Sequence, residues 1–178
     1  MANQNINLTT GLCTYDILKL MLFYELERVQ RYPMPVTLLR IGVARPDESI
    51  SEEKVKEIPL TVAHVLNSHL RAADVPGHCE DDFLVILSMT DESGGRIVAR
   101  RLAELLVEGF AKRSSNEIKL KAYVGLTSLP QGKKVSVDEF IAQGGKLGAD
   151  EFIAQATHAL TEARQQGPGS VVLFSDLP

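Results

Sequence analysis

Little in this sequence invites a disulfide frame, a membrane span or a charged polymer. Cysteine occurs only twice, at Cys13 and Cys79, with no CxxC spacing, so the thiols fit a reducing cytoplasm and no disulfide is required. The opening MANQNINLTTG has neither the basic n-region nor the apolar run of a signal peptide. The richest apolar stretch, ILKLMLFY, is broken by Lys19 and is far too short to cross a bilayer. Basic residues are not in excess: 19 Lys and Arg face 23 Asp and Glu, for a net charge of −4, which argues against non-specific nucleic-acid binding. A P-loop is absent, because GGKLG has neither the spacing nor the Ser/Thr that should follow the lysine. The four histidines suggest no nucleophile–His–acid arrangement.

What is present is an ordinary globular composition: 178 residues, 44% apolar and 24% charged. That length suits one domain, 1–178, with an adequate core, and no linker divides it. YDILKLMLFYELERVQR, 15–31, predicts a helix with apolar positions at 18, 22, 26 and 29. Ile17, Leu20, Met21 and Phe23 widen that stripe beyond what one core face needs, which suggests a well-buried helix or one shared with a partner or a second copy. Pro33 and Pro35 stop it, and PVTLLRIGV reads as a short buried strand. Ser51 opens a second helix running to about Ala72, with Leu60, Ala63, Val65, Leu66 and Leu70 near one face.

DVPGH and DFLVILS form two strand arms around a tight turn. A third helix spans 93–113, IKLKAYVGL alternates as a strand, a last helix covers 150–165, and SVVLF closes the sheet. This order of helices and strands predicts an α+β fold, with helices packed on a mostly antiparallel sheet. The hexapeptide DEFIAQ occurs at 138–143 and again at 150–155. Two copies are too few for a solenoid, so a local tandem insertion explains them more simply than an added contact surface.

Several stretches, in order, resemble the GGDEF domains, the diguanylate cyclases that join two GTP molecules into cyclic di-GMP. LRAADVPGHCEDDFLVILS is similar to the family's signature hairpin. NLTTGLCTY stands in the place of its DxLTGLxNR opening, and TLLRIGVA in that of its first strand. AYVGLTSLP resembles VSIGIASLP, and ATHALTEARQQGPGSVVLF resembles the closing ADxALYxAKxxGxNxVxxF. The resemblance spans nearly the whole chain except the insertion around 144–149, and it implies a nucleotidyl-cyclase-like, ferredoxin-like palm.

The resemblance also implies a machinery that these residues do not supply. Phosphoryl transfer needs a divalent cation held by carboxylates on fixed backbone. The family's two strand aspartates fall on Gly42 and Ala44, and its guanine-reading Asn and Asp fall on Ile50 and Ser51. The hairpin is one residue shorter, and Glu80 replaces the glycine pair, while Asp81, Asp82 and Phe83 keep the acids and the aromatic. The expectation is a domain with no catalytic residues, no bound metal and no cofactor. Although His78, Cys79, Glu80, Asp81 and Asp82 crowd one turn, neighbours on a strand point to opposite faces and do not converge on one ion.

One motif survives. Arg71 and Asp74 match the family's RxxD, placed just before the hairpin and in many members an inhibitory site for cyclic di-GMP. A guanidinium forks onto phosphate or guanine acceptors, and a carboxylate accepts from guanine N–H donors. Arg101, or Arg100 beside it, sits where the family adds a further arginine. The plainer alternative is a surface ion pair between Arg71 and Asp74 that needs no ligand. The reading is therefore an inactive GGDEF-like domain acting as a cyclic di-GMP receptor through Arg71, Asp74 and Arg101. Its rival is a nucleotide-independent interaction or dimerisation module working through the first helix. Lys112, Arg113, Lys119 and Lys121 are expected to form a solvated edge rather than a nucleic-acid track.

Overall fold

The computed structural model describes residues 5–32, 34–45, 51–109, 120–130 and 147–178. Its elements run α1 (Tyr15–Val29), β1 (Val36–Ala44), α2 (Glu52–His69), β2 (Val75–Cys79), β3 (Asp82–Ser88), α3 (Glu92–Glu108), β4 (Lys121–Leu129), α4 (Ala149–Gln166) and β5 (Val171–Leu173), closed by a 3₁₀ turn at Phe174–Asp176. The strands form one sheet in the order β2-β3-β1-β4-β5. β1 pairs antiparallel with both β3 and β4, β2 pairs antiparallel with β3, and only β4 and β5 run parallel. This is the mostly antiparallel α+β fold that the sequence predicted.

Strand alternation sorts the side chains into two cores. Leu39 and Ile41 of β1 join Phe83, Val85 and Leu87 of β3 beneath α2 and α3. Val36 and Leu38 join Leu84 and Ile86 on the other face, beneath α1 and α4. Each buried leucine contributes roughly 2 kcal/mol of apolar burial, so Leu18, Leu22 and Leu26 fix which face of α1 meets the sheet. Side-chain absence matters at Gly125, where a Cβ would lie 2.1 Å from the Leu160 backbone nitrogen, so α4 rests directly on β4.

Caps set the helix starts. Ser51 Oγ accepts from the Lys54 N–H at 3.5 Å, and Asp91 Oδ1 accepts from the Gly94 N–H at 2.8 Å. The ends differ from the sequence expectation. α1 stops at Val29 rather than 31, and α2 stops at His69, because Leu70 is extended at ψ 157° and cannot continue the coil. α3 ends at Glu108, where Gly109 adopts φ 83°; residues 110–113 lie outside the described residues. Leu60 is 44% exposed instead of facing the core, because Ile58 and Val62 carry the buried stripe there. The first DEFIAQ lies outside the described residues, as do Lys112, Arg113, Lys119 and Ile50. The second DEFIAQ is the first turn of α4, where Phe152 and Ile153 are buried. Among the described residues no helix is long and apolar enough to cross a membrane.

Candidate functional site

Two places carry the polar side chains of interest. The first lies where β1 passes the β2–β3 hairpin, on the α1/α4 face. Alternation puts Arg40 on that face with Gly42, two residues on. Arg40 is 8% exposed and fully engaged. Its Nε donates to Asp82 Oδ2 at 3.0 Å, Nη1 donates to Thr157 Oγ1 at 2.8 Å, and Nη2 donates to Glu80 Oε2 at 3.4 Å. The other Asp82 oxygen, Oδ1, accepts from Arg164 Nη2 of α4 at 2.7 Å. The Arg164 guanidinium also lies over Gly42: a Cβ there would stand 2.7 Å from Nη2 and 3.1 Å from Nε. A cation from the protein itself therefore covers the place where a β1 carboxylate would project.

The hairpin turn consists of Glu80 and Asp81, since Cys79 pairs with Asp82. Glu80 adopts φ 55°, a backbone conformation that favours glycine. Asp81 is exposed to solvent and Asp82 points inward, so the acidic pair splits between faces. A hollow of about 260 Å³ beside the turn is lined by Tyr15, Arg40, Cys79 and Glu80. Burial pushes the Cys79 thiol above its ordinary value, although the nearby Arg40 acts in the opposite sense. Behind the turn, Thr10 Oγ1 and His78 Nε2 share a hydrogen bond of 2.7 Å. The His78 ring packs on Phe83 at 5.1 Å, and burial lowers its pKa. Among the described residues no three His, Cys, Asp or Glu side chains come together as a metal-holding group.

The second place is the turn between α2 and β2. Arg71, Asp74 and Arg101 converge on one open cleft of about 390 Å³, with Ile97, Val98 and Leu87 supplying apolar wall. Arg100 is exposed and does not line it. Arg71 and Asp74 do not form the side-chain ion pair that was the plainer expectation. Instead Asp74 Oδ2 accepts from the Arg71 backbone N–H at 2.9 Å, and the Asp74 N–H donates to the Arg71 carbonyl at 3.0 Å. Among the described residues, no hydrogen bond or ion pair engages the Arg71 guanidinium. Arg101 Nη2 donates to the His69 carbonyl at 2.6 Å, capping the end of α2.

The sequence reading identified the cleft residues but missed Arg40, Thr157 and Arg164. A lone arginine in the apolar run VTLLRIGV was the available signal, since a buried guanidinium requires acidic partners.

No protein-family model matches this sequence, and no curated protein matches it. Solved structures do. The diguanylate cyclase SiaD from Pseudomonas aeruginosa, crystallised with its activator SiaC, matches with a TM-score of 0.73 and 21% identity, over 97% of this chain and 62% of that one. The chain thus spans less than two thirds of SiaD. The isolated GGDEF domain of TpbB (YfiN) from P. aeruginosa matches with a TM-score of 0.77 and 14% identity, over 95% of this chain and 94% of that one. The GGDEF domain of DgcB from Caulobacter crescentus, in complex with c-di-GMP, matches with a TM-score of 0.77 and 11% identity, over 98% and 95% of the two chains. At such identities the agreement concerns architecture, and it extends along nearly the whole chain. In fold, this protein is a GGDEF-like domain.

Proposed function

We propose that this domain does not make cyclic di-GMP but binds it, at the cleft formed by Arg71, Asp74 and Arg101. The observation that carries the proposal is the convergence of these three side chains on one open cleft, with the Arg71 guanidinium left unengaged among the described residues. That guanidinium suits a phosphate or a guanine edge, and Asp74 keeps one carboxylate oxygen for guanine N–H donors. Ile97, 68% exposed at the rim, offers an apolar surface to a base. The match to the c-di-GMP complex of the DgcB domain supports the choice of ligand class.

The loss of synthesis follows from the donors at the hairpin. A divalent cation needs several oxygen ligands. Gly42 offers no side-chain oxygen, and both oxygens of Asp82 are committed to Arg40 and Arg164. Two guanidinium groups at that carboxylate would also repel an incoming cation. These residues do not fit the metal that a diguanylate cyclase requires.

The test is equilibrium dialysis with labelled cyclic di-GMP, beside a product assay with GTP and Mg²⁺ or Mn²⁺. Losing one charge-assisted contact costs about 1.5–3 kcal/mol, so Arg71→Ala should weaken binding at least tenfold, with Arg101→Ala acting in the same direction. Arg100→Ala should change nothing. Cyclic product formed from GTP would overturn the inactive assignment, and unchanged binding in Arg71→Ala would overturn the site.

A further inference from the structure

Large apolar side chains are exposed on the outer side of α1. Leu20, Phe23 and Tyr24 are 49%, 48% and 62% exposed, on the side opposite the buried Leu18, Leu22 and Leu26. The Phe23 and Tyr24 rings meet edge to face at 5.6 Å. Positions 16, 20, 23, 24, 27 and 31 recur every three or four residues and so share that outer face. Its ends carry opposite charge: Asp16 in the first turn, and Arg31 in the turn that continues the helix. Both are exposed, and among the described residues neither sits in an ion pair. Of the neighbouring charges, Lys19 is paired to Asp150 at 2.6 Å and Arg28 to Glu25 at 3.0 Å, while Glu27, exposed on the outer face itself, sits in no ion pair among the described residues.

This pattern is complementary to itself in one direction only. A second α1 laid antiparallel, with the two-fold axis passing between residues 23 and 24, sets Phe23 against Tyr24 of the other copy. It sets Leu20 against Glu27, and Asp16 against Arg31, each contact occurring twice by symmetry. A parallel arrangement would instead oppose Asp16 to Asp16 and Arg31 to Arg31. We propose that the outer face of α1 is an interface for a second copy of this chain, paired antiparallel, with an aromatic centre closed at both ends by Asp16–Arg31 ion pairs. The face is only about four turns of helix long, so the dimer is a weak one that forms at high protein concentration. It is remote in chain and chemistry from the Arg71 cleft and needs no nucleotide.

Sedimentation equilibrium of the full chain without nucleotide, from low micromolar to near-millimolar concentration, tests this. The wild type should show a reversible monomer–dimer equilibrium. Asp16→Arg alone and Arg31→Asp alone should each weaken it at least tenfold, because like charges then meet. The double variant Asp16→Arg with Arg31→Asp should restore it. Far-UV circular dichroism verifies that each variant keeps its helix content, and Arg71→Ala should dimerise like the wild type, which separates this interface from the nucleotide site. A monomer at every concentration overturns the proposal, including the case in which another protein occupies the face. A dimer indifferent to Asp16→Arg, or a double variant that stays monomeric, overturns it as well.

Discussion

Glu80 holds a left-handed backbone conformation, at φ 55°, without being glycine. For a residue bearing a Cβ this costs about 1–2 kcal/mol. Its compensation is a 3.4 Å contact from a side chain that is 84% exposed, and exposed pairs contribute at most about 1 kcal/mol. The backbone term is the larger, so Glu80→Gly should stabilise the protein by about 1 kcal/mol, read as a higher urea midpoint at unchanged slope. His78 gives a pH dependence whose sign follows from its burial. Its folded pKa lies below the ordinary 6.5, so once the pH falls below about 6.5 the unfolded chain binds a proton that the folded one refuses. The stability contributed by neutral His78 is therefore complete above that value and is lost as the solution is acidified toward the folded pKa. Melting temperatures across this range should fall more steeply for the wild type than for His78→Gln. Equal slopes would mean that His78 titrates freely in the fold.

At the scale of elements, one carboxylate ties three of them together. Asp82 of β3 holds Arg40 of β1 and Arg164 of α4, with both Asp82 and Arg40 nearly buried. Removing one member of a buried pair leaves a charge unpaired, at a cost of about 3–5 kcal/mol. Asp82→Asn should accordingly lower the unfolding free energy by about 3 kcal/mol in urea titration, whereas a change below 1 kcal/mol would show that water already screens the cluster. Gly125 makes the complementary point about packing. A Cβ there meets α4 backbone, which cannot yield as a flexible side chain does, whereas a Cβ at Gly42 meets only the movable end of Arg164. Gly125→Ala should cost about 3 kcal/mol, and Gly42→Ala clearly less, in the same assay.

The sequence made the elements themselves readable, because each helix carries its own 3.6-residue stripe and each strand its apolar run. Their ends were less readable. The periodicity of α2 continues through Leu70 after the backbone has already turned extended. Arg71, Asp74 and Arg101 were singled out by the resemblance to GGDEF domains, but the use of Asp74 as a cap on the Arg71 amide was not legible, since an RxxD pattern does not say which donor the carboxylate meets. The arginine cluster at Asp82 was hidden for a different reason. Its members come from distant stretches, and only the pairing of β1 with β3 and the seating of α4 bring them together.

At the scale of the molecule, a cyclase-like architecture carries two polar centres in opposite conditions. At the hairpin each guanidinium nitrogen of Arg40 and both carboxylate oxygens of Asp82 are engaged within the fold. At the α2–β2 turn a cationic side chain stands free beside a carboxylate and an apolar rim. An unengaged guanidinium at such a cleft is the group that the proposed binding of cyclic di-GMP would use. The most direct measurement is a calorimetric titration of the wild-type chain with cyclic di-GMP. Saturable binding with a dissociation constant in the micromolar range, about −8 kcal/mol, is expected. No heat and no saturation at ligand concentrations a hundredfold higher would contradict it.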